Sequence, residues 1–168
     1  MQTIDIRNLF DYLYWVRDRV TAKAAELDNQ AFLDAPTLGR RDLRGTLAHE
    51  LDVEHSWRPK LQGEPHDNWG PLAEIRAEEF PTLEALMNRW RFDEAEVRDW
   101  LAGLSDEDLA APVTVNGLEG HSLETYLLHV VEHGITEFTM ASAILGETGH
   151  ETGELGYLKY LDDRQEAR

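Results

Sequence analysis

The chain contains no cysteine. Disulfides, thiolate nucleophiles and cysteine-ligated zinc are excluded, and a reducing cytoplasm is the expected setting. No apolar run approaches the roughly 18 residues that a membrane-spanning helix needs. Bases are scarce: 16 Lys and Arg stand against 33 Asp and Glu, for a formal charge of −17. Such a chain repels phosphate backbones and anionic lipid headgroups, so neither nucleic acid nor membrane is an expected partner. The acids form no long uninterrupted run, and they read as a solvated surface rather than a docking tract for a basic partner. The opening MQTIDIRNLF carries an early acid and lacks a basic or apolar leader, so no secretory signal is expected. A glycine-rich phosphate loop is also missing, because the glycines at 146, 149, 153 and 156 follow a helical pattern rather than opening one. Nor is there a nucleophile turn on which a serine–histidine–acid triad could be built.

What the sequence does contain is helical periodicity. Asp5–Leu27 repeats Leu9, Leu13, Val16, Val20, Ala24 and Leu27 at steps of three and four, with Asp5 placed to cap the start. Phe10, Tyr14 and Trp15 widen that apolar arc, as core or as a face for a second subunit. Asp28–Arg41, with Pro36 and Gly39, is expected to be a connector. A second helix spans about Asp42 to Gln62 and stops at Gly63, with Pro59 in its last turn. Glu64–Pro81 holds Pro65, Gly70, Pro71 and Pro81 with Trp69 between, and reads as a long loop with one short helical turn. Thr82 caps a third helix to Leu101 along Leu83, Leu86, Met87, Trp90, Val97 and Leu101. A short helical turn follows at Ser105–Leu109. Pro112–Gly120 alternates around Asn116-Gly117 and is expected to form a small hairpin. Ser122 caps the fourth helix, and the tail from His150 is expected to lie back over the bundle before DDRQEAR frays. The expectation is one all-α domain over residues 1–168, a four-helix bundle with long connections.

The fourth helix carries the chemistry. In LETYLLHVVEHGITEFTMASAIL, His129, His133 and Glu137 recur every four residues. Each step of four turns the helix by only about 40° and climbs about 6 Å, so the three form one inclined row. Leu123, Tyr126, Leu127, Val130, Gly134, Ala141, Ile144 and Leu145 define the apolar arc; His133 and Glu137 fall inside it and His129 at its edge. A core-facing imidazole and carboxylate need partners, and a divalent cation would satisfy both if another helix brought a third ligand. The second helix offers one. Its arc (Leu43, Leu47, Leu51, Val53, Trp57, Leu61) contains Glu50 and Glu54, unusual positions for carboxylates, with His49 at the edge. His49, His133 and Glu137 make a three-ligand set with an open position, with Glu54 or Glu50 beside it. Such a set suits zinc, nickel, iron or manganese. His129 is a weaker substitute ligand, and His55, His66, His121 and His150 read as surface residues.

LFDYLYWVRDRV, LRGTLAHELDVEHSWRPKLQG, LSDEDL, SLETYLLHVVEHG and the closing LGETGHETGELGYLKYL, in that order, resemble the DinB/YfiT-like superfamily over nearly the whole chain. The resemblance implies a four-helix bundle, usually dimeric, with a divalent metal held by one histidine of the second helix and two of the last. By position these are His49, His133 and Glu137. Family members usually carry a histidine followed by Arg-Gly-Gln where this chain has Glu137-Phe138-Thr139-Met140; related thiol-dependent isomerases use a glutamate with two histidines.

What the resemblance implies for activity is a metal-dependent S-transferase, isomerase or hydrolase. Its cosubstrate would be a low-molecular-weight thiol of the mycothiol or bacillithiol kind, consistent with a chain lacking cysteine. In that reading Glu54 is the catalytic candidate, orienting His49 or relaying a proton, and the partners are a small-molecule substrate and a second copy of the chain. The alternatives are a non-catalytic metal-binding stress protein acting as a dimeric module, and a metal-free helical module in which Glu137 pairs with a base.

Overall fold

The computed structural model describes residues 1–166. Seven α-helices occupy them: α1 (Thr3–Ala24), α2 (Asn29–Leu33), α3 (Leu43–Leu61), α4 (Leu83–Gly103), α5 (Asp106–Ala110), α6 (Leu123–Glu147) and α7 (Tyr157–Glu166). The long helices α1, α3, α4 and α6 form the expected bundle. α6 packs most extensively on α3 and α1, and α4 closes the bundle against the same two. The stripes read from the sequence meet in the core: Leu13, Val16, Val20, Leu43, Leu47, Leu51, Leu86, Trp90, Leu127, Phe138, Ile144 and Leu145 are buried together.

Helix ends follow local chemistry, and several differ from expectation. α1 starts before Asp5, whose carboxylate instead accepts the Gln2 backbone N–H at 3.0 Å. The expected connector after α1 contains α2, because Asp28 caps it through the Ala31 N–H at 2.8 Å and Phe32 plugs into the core. Asp42 caps α3 through the Gly45 N–H at 2.7 Å, and Pro59 sits within its last turn without ending it. The long loop has two 3₁₀ turns rather than one, at His66–Asn68 and Ala77–Glu79. It is pinned to α3 where Asp52 accepts the Ile75 N–H at 2.8 Å. Ser122 precedes α6, but its hydroxyl meets that of Thr125 at 3.0 Å rather than a backbone N–H.

The expected hairpin is reduced to its turn. Asn116 and Gly117 both take positive φ (53° and 73°) and Leu118 N–H donates to Val115 C=O at 2.9 Å, as a two-residue hairpin turn requires. In this stretch a single isolated bridge forms among the described residues, Pro112 to Ser122. The Asn116 amide is spent on the Lys60 and Glu64 carbonyls at 2.9 and 3.2 Å, which ties the turn to the end of α3 instead of extending a ladder.

The tail does return over the bundle. Tyr160 is buried against Tyr12 and Trp15, and the Tyr12 hydroxyl donates to the Leu155 carbonyl at 2.8 Å. The stretch expected to fray is helical through Glu166, held by Arg19–Asp163 and Lys159–Asp163 ion pairs; its last two residues lie outside the described ones. Among the described residues no helix is long and apolar enough to cross a membrane.

Candidate metal centre

α3 and α6 lie side by side, and their inner edges bring His49, His133 and Glu137 together. One ligand-capable atom from each lies within 4.8 Å of the other two. The imidazoles of His49 and His133 meet at 5.2 Å between centroids and 65° between planes. Glu137 is 8% exposed, and both histidines are half-buried. Donors bound to a common divalent ion at about 2.1 Å sit roughly 3 to 3.4 Å apart, so closing on one asks each side chain to move inward by about 1 Å. Side-chain rotation within staggered wells supplies that much.

The surroundings favour a cation. Glu137 Oε1 lies 4.0 Å from His133 Nε2 and 3.7 Å from Arg41 Nη1, both beyond hydrogen-bond reach, while its Oε2 is buried without a partner. Behind His133 stands Glu50, fully buried, with Oε2 2.6 Å from His133 Nδ1. Its second oxygen is likewise buried and unpartnered. Burial first, then the nearby Glu137 carboxylate, holds Glu50 well above the usual carboxylate range. Burial therefore favours the protonated form of Glu50, while a cation at His133 Nε2 would favour an Nδ1–H that donates to an ionised Glu50. His49 is pushed the other way. Burial, then Arg41 and His133, lower its pKa and keep the imidazole neutral with a lone pair to give. A neutral imidazole, a second one backed by a carboxylate, and a carboxylate with an orphaned oxygen are the donor set a divalent ion takes.

Local sequence makes this packing feasible. Gly134, next to His133, faces Glu50 and Leu13: a Cβ there would lie 2.5 Å from Glu50 Oε1 and 2.5 Å from Leu13 Cδ1. Only glycine lets α6 approach closely enough for His133 to reach Glu50.

The family model described as the DinB superfamily matches residues 12–136. This chain belongs to the DinB superfamily. The match runs from the middle of α1 through α3 and α4 into α6, takes in His49 and His133, and stops one residue before Glu137. Comparison with curated proteins gives no match.

Other sequence candidates are placed as follows. Glu54, 1% exposed, does not reach His49. Its oxygens accept from the Tyr14 hydroxyl at 3.0 Å and the Trp90 indole N–H at 3.2 Å. Burial, then the Glu50 charge, push it up to about 8 despite Arg17 and those two donors. The bond to a site histidine thus comes from Glu50. His129 is exposed, stacks edge-on against Trp57 at 5.3 Å with its ring 6.4 Å from that of His133, and is not one of the three converging residues. His55, expected on the surface, is instead half-buried with Nδ1 2.7 Å from Asp93 Oδ1, and Arg89 braces the same carboxylate. The signal for Asp93 was present: it keeps the register of Leu86, Trp90 and Val97 on α4. Arg41 had no such signal, since it arrives from outside any helix. His49 also borders an open cleft of about 400 Å³ with Arg41, Asp52, Glu74 and Arg76, within the usual size of a small-molecule site.

Proposed function

We propose that this DinB-superfamily chain is a divalent-metal-dependent enzyme that acts on a small molecule with a low-molecular-weight thiol as cosubstrate, as an S-transferase or isomerase. Hydrolysis is the variant in which water takes the thiol's place. The observation that carries this reading is the convergence of His49, His133 and Glu137 from two helices beside an open cleft. A bound divalent ion supplies Lewis acidity that lowers the pKa of a thiol or water. The chain's own residues do the rest. His49, His133 and Glu137 hold the ion, and Glu50 accepts the Nδ1–H of His133 and fixes its ring. Glu54, held by Tyr14 and Trp90, belongs to the scaffold behind the site and does not touch substrate. We further propose a homodimer working in the cytoplasm.

A second reading is favoured by a separate observation: Arg41 stands 3.7 Å from Glu137 and could neutralise it in a metal-free helical module.

Metal content by mass spectrometry, on protein purified without a chelating tag, separates the two. The metal reading expects about one divalent ion per chain. It also expects a melting temperature several degrees lower with chelator, since a ligand that binds only the folded state stabilises it. His133→Ala should abolish both, lowering metal affinity on the order of 100-fold or more; unchanged metal content would mean the site is wrongly placed. Mass analysis of products from a bacterial thiol and an electrophile then tests transfer.

A further inference from the structure

Further along α3 from His49, a separate cavity of about 390 Å³ opens between the helix and the long loop. Two indoles line it. Trp57 comes from α3, and Trp69 from the loop, where its N–H donates to the Glu64 carbonyl at 3.1 Å. Lys60 places its ammonium 5.0 Å from the centroid of each ring. Among the described residues that ammonium makes no ion pair, so the two ring faces are what holds it. The carboxylates of Asp52 and Glu74 line the same cavity.

Two aromatic faces with carboxylates at the rim form an environment that selects organic cations. The ring quadrupole attracts the charge and the carboxylates add to it without requiring directional hydrogen bonds. The occupant here is tethered by a flexible four-carbon stem, which leaves with little rearrangement. The chain's charge of −17 raises the local concentration of any cation approaching it. Asp52 and Glu74 also border the cleft at His49, so the two cavities share a wall. Trp57 lies eight residues from His49 on α3, about 12 Å along the axis.

We propose that the Trp57–Trp69 pair is a binding subsite for the ammonium group of a small organic cation, and that Lys60 occupies it as an exchangeable internal cation. This assignment stands apart from the metal reading, since none of its residues is in the His49, His133 and Glu137 set.

The test is a heteronuclear NMR titration of the full chain with choline as probe, following the indole N–H signals of Trp57 and Trp69. Choline should shift both signals. Its uncharged tert-butyl isostere, in which carbon replaces nitrogen, should bind about five-fold or more weakly, the discrimination a cation–π contact provides. Lys60→Met keeps an apolar stem but removes the competing charge, and should tighten choline binding by about ten-fold. Trp69→Leu, on the loop and away from the core, should abolish the choline response at Trp57. His133→Ala should leave choline binding unchanged, so a failed metal site and a failed ammonium site give different results. Equal binding of the isostere, equal choline affinity in Lys60→Met and the parent, a choline response that survives Trp69→Leu, or loss of binding in His133→Ala would each overturn the assignment.

Discussion

Glu50 and Glu54 sit one turn apart on α3, both essentially inaccessible to water, yet their surroundings differ in kind. Glu54 is surrounded by donors: Tyr14 and Trp90 each bond one oxygen, and the Arg17 guanidinium, stacked on both rings, adds distant positive charge. Glu50 has one partner, His133, and an oxygen with none, and the charge bearing on it from α6 is that of another buried acid, Glu137, itself with an orphaned oxygen. A buried polar atom left unpaired costs about 1–3 kcal/mol. A fold that satisfies one carboxylate completely and leaves two others short has placed that cost where a cation could relieve it. The Glu54 end is scaffold, and the Glu50 end is where chemistry is proposed.

Four further substitutions probe that contrast. The largest effect is expected from Glu50→Gln, which keeps the shape but weakens the hold on the His133 proton. Metal affinity should fall roughly 10- to 100-fold while the fold is retained. Isothermal titration with zinc measures this; an unchanged affinity would make Glu50 a bystander. Gly134→Ala comes next. A methyl 2.5 Å from Glu50 Oε1 and Leu13 Cδ1 must displace one or both, at about 1–3 kcal/mol of overpacking, against about 1 kcal/mol gained in helix propensity. Chemical denaturation should show a net loss, together with weaker metal binding because Glu50 is pushed off His133.

Glu54→Gln tests the other end. Glu54 keeps its proton to about 8 in the folded chain against 4.5 for an unperturbed glutamate. Between those values the folded state binds the extra proton, so stability falls as pH rises through them. One proton contributes at most about 1.4 kcal/mol per pH unit. The Gln variant has no such proton, and its urea stability should decline less steeply over that range; parallel curves would show that Glu54 ionises normally. The smallest effect is expected for His129→Ala. This exposed histidine should change stability by no more than about 0.5 kcal/mol and leave zinc titration as in the parent. A loss of metal there would return His129 to the ligand set.

The inner faces of α3 and α6 were legible because a helix of 3.6 residues per turn converts spacing directly into direction. That placed His133, Glu137, Glu50 and Glu54 inward, and it did so before any neighbour was known. The same logic would have buried Asp93, whose register on α4 matches Trp90 and Val97. What was misread lay at ends and connections. Asp28 nucleates a short helix inside an expected connector, and the Asn116 side chain turns an expected hairpin into a turn anchored on α3, because side-chain hydrogen bonds to backbone compete with regular structure over such short spans.

By itself the sequence determined the four long helices, the stripe each turns to the core, and the acids and imidazoles lying within those stripes. The tertiary structure decided the pairings: Glu50 rather than Glu54 against a site histidine, Arg41 beside Glu137, Asp93 under His55, and Lys60 between two tryptophans. Periodicity sets the direction of a side chain about its own axis only. How far one helix slides or rotates against the next is decided by close packing across the whole bundle, here by the contact that Gly134 permits between α6 and its neighbours.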